Sequence, residues 1–344
     1  MVDSLGAVAS LGDLARLLAV PLLGWAALRD IRTRRVPNWV WYVLGGLGAV
    51  LLVADLVRLA PFGSSFARLE LTRIALSLGV VVPLAYGFWR LGGFGGADAK
   101  ALMALAVLFP TYPAYYPPQT LFGVDLPPVL PAEPTLVGVF SLTVLTNTVL
   151  VGALFPVALT VRNALAGRFS PVMFLARVVP VGSLTRRHGR LFEGPSGFTR
   201  SGLDVDALRM YLRWRGLPLA ELRAHPDRYR DPDGVGETFD ATDGAVAEAA
   251  VEHDAASAAG DAPEPTDGDY DDPWAAEQFL DDIEGSAYGT DAETLRAGLE
   301  TVAAADEVWL SPGLPFIVPM FVGLLVALTY GDLLYGLLTA LGLA

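Results

Sequence analysis

The sequence has no cysteine, so a disulfide framework, a thiolate nucleophile and a cysteine zinc site are all excluded. Histidine is nearly absent. His188, His225 and His253 are scattered through the polar region, and no two of them form a metal-binding pair at helical spacing. No metal and no cofactor is therefore expected. Lysine occurs once, as Lys100, against 23 arginines. Residues 1–10 contain Asp3 and lack a basic stretch, so they do not read as a cleavable signal peptide.

Charge is also missing from long stretches of the chain. Of 344 residues, 53% are apolar, yet the formal net charge is -13. The conflict resolves once the charge is located. Residues 231–307 hold 23 acids and a single base, Arg296, whereas the rest holds 14 acids and 23 bases. A basic, strongly apolar part thus carries a very acidic polar insert. Abundant carboxylates with arginine in place of lysine fit a halophilic proteome, in which dense surface charge keeps a protein hydrated in salt. Nucleic acid is not expected as a partner; a lipid bilayer is.

Apolar segments occur at 11–28, 39–59, 74–89, 101–116, 136–161 and 314–331. These predict an all-α polytopic membrane protein of about six spans, with a partly disordered acidic cytoplasmic insert between the fifth and sixth. The fourth segment is crowded by Pro110 and Pro113 and is expected to be short or kinked. Asp13 and Arg16 in the first segment are expected to snorkel to the interface. Basic residues crowd the ends of spans one, three and five (Arg29 to Arg35, Arg90 with Lys100, and Arg162, Arg168 and Arg177), so the positive-inside rule places both termini outside and the insert in the cytoplasm. The expected domains are a membrane part at 1–161, a basic cytoplasmic segment at 162–230, an acidic and largely disordered insert at 231–307, and a last helix within 308–344. In the basic segment, 204–215 reads as an amphipathic helix, able to lie on headgroups or to pack in a small domain. Residues 231–291 look too polar to form a core. Asn147, uncharged and inside the fifth span, reads as an interhelical hydrogen-bonding residue.

Under this orientation two carboxylates share the cytoplasmic side. Asp30 lies in Arg29-Asp-Ile-Arg-Thr-Arg-Arg-Val-Pro-Asn38, and Asp98 in Leu91-Gly-Gly-Phe-Gly-Gly-Ala-Asp-Ala-Lys100. Gly92, Gly93, Gly95 and Gly96 crowd four glycines into five positions, which frees the backbone and permits close approach of another chain. Two carboxyls that share a site can act as one neutral donor and one ionised base, a device that hydrolyses peptides without metal, thiol or serine. On residue type alone the alternatives stay open: Asp98 as a helix N-terminal capping group, and Asp30 as a surface acid balancing its arginines.

These two stretches resemble the active-site motifs of the prepilin and preflagellin peptidases, membrane aspartyl proteases whose second motif is Gly-x-Gly-Asp. Asp30-Ile-Arg with Arg35-Val-Pro-Asn38, and Gly95-Gly-Ala-Asp98-Ala-Lys100, carry the likeness. Ser311-Pro-Gly-Leu-Pro-Phe-Ile-Val-Pro319 is similar to the proline-rich entrance to that family's last helix, especially in its archaeal branch. Ala97 departs from the pattern, standing where the motif has its second glycine. The cysteine-bearing region of many bacterial members is absent. The resemblance implies that Asp30 and Asp98 are catalytic, that Gly92 to Ala97 admit the substrate, and that Arg35, Pro37, Asn38 and Lys100 support the motif. It implies a prepilin or pre-archaellin precursor as substrate, its short basic leader cut at the cytoplasmic face. It leaves the insert unexplained, either a solvated linker or an attractor of basic leaders.

Two rivals from other classes remain on the residues alone. One is a transporter or proton pathway using Asp98, since broken glycine-rich helices build such sites. The other is a non-catalytic membrane anchor that presents the acidic insert to a partner. An intramembrane protease cutting within spans would share the dyad chemistry.

Overall fold

The computed structural model describes residues 8–121, 124–135, 137–199, 201–246, 270–283, 287–313 and 315–343. Residues 1–7, and 247–269 with His253 and much of the expected disordered insert, lie outside the described residues. The chain divides into two compact units, Met1–Phe155 with Leu314–Ala344, and Pro156–Gly313.

The first unit is helical because its sequence is apolar nearly all round, the pattern of a helix with no water-facing side. Helices α1 (Leu11–Arg16) and α2 (Ala19–Thr33) are followed by α3 (Trp39–Leu59). Helix α4 (Ser65–Leu76) runs through a π turn at Ser77–Val81 into α5 (Val82–Arg90). Helix α6 (Gly96–Leu108) and α7 (Phe140–Leu165) come next, and Ile317–Thr329 and Leu333–Ala340 close the chain. Helix α6 sits at the centre. Ala101, Leu102, Ala104, Leu105, Ala106 and Leu108 are all buried, in one core with Leu23 of α2, Leu44 of α3 and Leu324 of the penultimate helix. Small residues let backbones approach there. A Cβ on Gly48 would lie 2.9 Å from the backbone nitrogen of Leu108.

Among the described residues, four helical stretches are long and apolar enough to cross a membrane: Leu11–Thr33, Trp39–Leu59, Ser65–Arg90 and Phe140–Leu165. The chain is a multi-pass membrane protein. The other two apolar segments differ from full-length spans. Helix α6 and Ile317–Thr329 have 13 residues each, about 20 Å of helix against a hydrocarbon core of about 30 Å. Pro110 ends α6 early: Leu108 is its last residue and Phe109 leaves the helical conformation at φ -125°. Helix also precedes the apolar segment at 74–89: the Ser64 hydroxyl accepts from the Ala67 N–H at 3.0 Å and starts α4 at Ser65. Arg16 does not snorkel. It is 5% exposed, donates to the carbonyl of Leu108 at 2.8 Å and pairs with Asp13 and Asp55. Asn147 makes the hydrogen bonds expected of it, donating to Gly331 O at 2.8 Å and accepting from Leu333 N at 3.0 Å.

The second unit corrects the all-α expectation. Glu307–Ser311 is the middle strand of a small antiparallel sheet, flanked by Arg177–Pro180 and Arg190–Leu191. The amphipathic helix, Val205–Trp214, packs into a core instead of lying on a surface; Leu208, Tyr211 and Trp214 are buried. Part of the acidic stretch belongs to the same core. Trp274 and Phe279 are fully buried, the latter in the helix Ala276–Asp282. Disorder is therefore corrected at 270–283. Two aromatic side chains supply apolar area that an averaged composition hides, and acids are engaged locally. Asp272 accepts from Glu277 N at 3.0 Å and pairs with Arg296 at 2.7 Å. Glu300 accepts from Arg230 at 2.7 Å and from the Trp274 indole at 2.9 Å.

Candidate active site

Asp30 is in the last turn of α2 and is 7% exposed. The helix ends one turn later. Arg34 takes a left-handed conformation at φ 55° and its N–H closes on Asp30 O at 2.9 Å. Thr33 ties the turn that follows: its hydroxyl lies 3.0 Å from Arg29 O and 3.1 Å from Arg35 O, and Arg29 Nε donates to Arg35 O at 3.2 Å. The carbonyl of Pro37 then accepts from Val40 N in the first turn of α3.

The glycine-rich stretch has a separate local logic at each position. Helix α5 terminates at Gly92, φ 74°, with Gly92 N–H bonded to Trp89 O at 3.0 Å and Gly93 N–H to Phe88 O at 2.8 Å. This is the paired closure that glycine favours after a helix. Phe94 fixes the turn, its ring centroid 5.0 Å from Phe88 and 4.8 Å from Phe316. Gly96 opens α6. Asp98, three residues beyond Gly95, accepts from the Gly95 N–H at 3.0 Å, so it caps the helix start. A Cβ at Gly95 would lie 2.9 Å from that carboxylate oxygen, so only glycine leaves the carboxylate undisplaced. Asp98 and Ala97 are half-buried, whereas Gly92, Gly93, Gly95 and Gly96 are exposed.

The fold brings the two motifs together. Asp30 and Asp98 lie within range of each other's charge, and Arg34 is within range of both. A direct bridge joins the stretches: Lys100 Nζ donates to Asn38 Oδ1 at 2.8 Å. Arg34, Thr33 and Phe94 are the participants that motif reading overlooks. Arg34 is one of four arginines within seven residues, and only the turn geometry distinguishes it. Chemically, the arrangement offers two carboxyls of unequal exposure, a nearby guanidinium and an open glycine-lined approach.

Residues 17–159, which hold both motifs, match the Type IV leader peptidase family. That segment is similar to the type IV leader peptidases. Residues 275–333 match the Archaeal Peptidase A24 C-terminus Type II. The leader-peptidase relation thus extends to the proline-rich stretch at 311–319 and into the end of the insert, which motif reading left unexplained. A preflagellin peptidase of Methanococcus maripaludis strain C6 is 24% identical over 128 residues, covering 36% of this chain and 52% of that protein. A preflagellin peptidase of Methanococcus voltae is 28% identical over 131 residues, covering 37% of this chain and 53% of that protein. The chain spans about half the length of these curated relatives.

Proposed function

We propose that the chain is a membrane aspartyl endopeptidase of the leader-peptidase type, with Asp30 and Asp98 as its catalytic pair. The observation that carries this reading is that two carboxylates, far apart in sequence, lie within range of each other's charge beside a turn held by the Lys100–Asn38 bridge. The ionised carboxylate takes a proton from water, whose oxygen attacks the peptide carbonyl carbon. The neutral carboxyl donates its proton to the carbonyl oxygen. Collapse of the tetrahedral species breaks the C–N bond as the amide nitrogen gains a proton.

The proposed substrate is a prepilin-like or pre-archaellin precursor, cut after a short basic leader. The family match over residues 17–159 and the similarity to preflagellin peptidases support that class. The basic residues at the ends of α2, α5 and α7 (Arg29 to Arg35, Arg90 with Lys100, and Arg162), read by the positive-inside rule, support a cytoplasmic site and a cytoplasmic insert. Glycines 92 to 96, exposed beside Asp98, suit an extended leader lying against the backbone.

The test is processing of a co-expressed precursor by wild type, Asp30→Asn and Asp98→Asn, read as loss of mass at the precursor's N-terminus with membrane levels matched. Either substitution alone is expected to stop processing. Normal cleavage by both variants would remove the dyad and return these residues to capping and charge balance.

A further inference from the structure

Several arginines in the second unit face carboxylates: Arg168 with Glu307 at 3.1 Å, Arg190 with Asp204 at 3.7 Å, Arg223 with Asp306 at 3.0 Å and Arg230 with Glu300 at 2.7 Å. Arg162, Arg177 and Arg187 are among those that form no ion pair within the described residues. The fold nevertheless collects them. Asn163, 3% exposed, donates to Met173 O at 2.6 Å and Ala176 O at 2.8 Å, which sets the end of α7 beside the strand that begins at Arg177. From the other direction, Ser183 Oγ donates to Pro180 O at 2.7 Å and accepts from Arg187 Nε at 2.8 Å, drawing Arg187 back to that strand.

Arg177 Nε is buried without a hydrogen-bond partner. Burial, then the charges of Arg187 and Arg162, pull its guanidinium below the usual arginine range. Arg177, with a buried and unsatisfied N–H and within range of the charges of Arg162 and Arg187, is a costly arrangement unless an anion joins it. Guanidinium forks match the oxygens of phosphate. The chain next to Arg162 is apolar and exposed: Leu165 is 85% and Phe169 75% accessible. Side chains of that kind enter the acyl boundary beside a headgroup, which favours a lipid over a free ion.

We propose that Arg162, Arg177 and Arg187 form a binding site for a phosphate-bearing anion, supplied by the headgroup of an anionic lipid at the end of α7. The site is independent of the peptidase reading.

The experiment is thermal unfolding of the purified full chain in a neutral detergent. The additions are short-chain phosphatidylglycerol, phosphatidylcholine of the same chain length, or inorganic phosphate. Phosphatidylglycerol is expected to raise Tm and phosphatidylcholine to leave it unchanged. Arg177→Gln is expected to weaken the apparent affinity for phosphatidylglycerol about tenfold, the loss of one charge-assisted contact. Arg186→Gln, on the exposed neighbour, should keep the wild-type response. Should Arg177→Gln fail to accumulate, Arg162→Gln, exposed on α7, carries the same comparison. Equal stabilisation by the two lipids, an undiminished response in the Arg177 and Arg162 variants, or an equal loss in Arg186→Gln would refute the site. A response to inorganic phosphate that phosphatidylglycerol does not exceed would keep the anion site and refute its lipid source.

Discussion

Lys100 is the single lysine in a chain that otherwise uses arginine, and its ammonium donates to Asn38 across the two motifs. An ammonium is a compact point donor on a flexible stem, whereas guanidinium is a wide planar fork. The bridge therefore reads as a latch that sets the distance between the turn after Asp30 and the helix whose first turn carries Asp98. Lys100→Met and Asn38→Ala should each slow precursor processing about tenfold, mainly in kcat, and the double substitution should be no slower than the worse single one. Lys100→Arg should recover part of the rate. Strictly additive effects in that cycle would mean the two side chains act separately. Gly95 makes a sharper case. Its missing side chain leaves room for the Asp98 carboxylate, so Gly95→Ala should push that group out of place and cut processing up to about a hundredfold. Gly45→Ala is the control, because its Cβ would meet nothing within 4 Å. Equal rates in the two alanine variants would show that Asp98 tolerates displacement.

Among the elements, α6 governs the site because its first turn carries Asp98 while its last residue is gripped by its neighbours. Gly48 of α3 abuts the Leu108 backbone, and Arg16 donates to the Leu108 carbonyl. Gly48→Ala must separate α3 from α6 and should destabilise the protein by about 1–3 kcal/mol, read as a lower thermal midpoint in detergent. An unchanged midpoint would mean the pair relaxes without cost. The same helix shows what hydropathy conveys and what it omits. The apolar runs that became α3 and α7 were legible because length and lack of charge decide them together. The early stop of α6 was half legible, signalled by Pro110. The π turn at Ser77–Val81 was not, since it depends on Ser77 Oγ reaching Ala106 O at 2.7 Å, a tertiary contact. Arg16 misled for the same reason. A cation near a span end snorkels by default, and only the folded chain supplies Asp13, Asp55 and the Leu108 carbonyl. At the site, the residue types and order exposed both carboxylates, but Arg34 and Phe94 emerge only from turn geometry.

For the molecule as a whole, the partition of charge was visible in the sequence, and its consequence for the insert was overstated. Acid-rich composition favours disorder when apolar area is too small; here Trp274, Phe279, Leu295 and Leu299 supply that area and arginines take up the neighbouring acids. Glu300 makes the point testable. Hydrogen bonds from Arg230 hold its carboxyl below the ordinary value of 4.5; burial opposes them and the Trp274 N–H assists. A carboxyl whose folded pKa lies below its unfolded one adds stability that is complete above the unfolded value. That contribution is lost as pH falls through the folded value. Arg230→Gln should therefore lower the guanidinium midpoint of the intact protein at pH 7, followed by near-UV circular dichroism. The gap from wild type should narrow once pH drops below about 4.5. It should not vanish, because the Arg230 guanidinium also stacks over the Trp274 ring, 5.4 Å from its centroid, and that packing does not titrate in this range. A gap that stays constant from pH 7 to pH 3, or widens on acidification, would show that the Arg230–Glu300 pair adds nothing to this part of the fold.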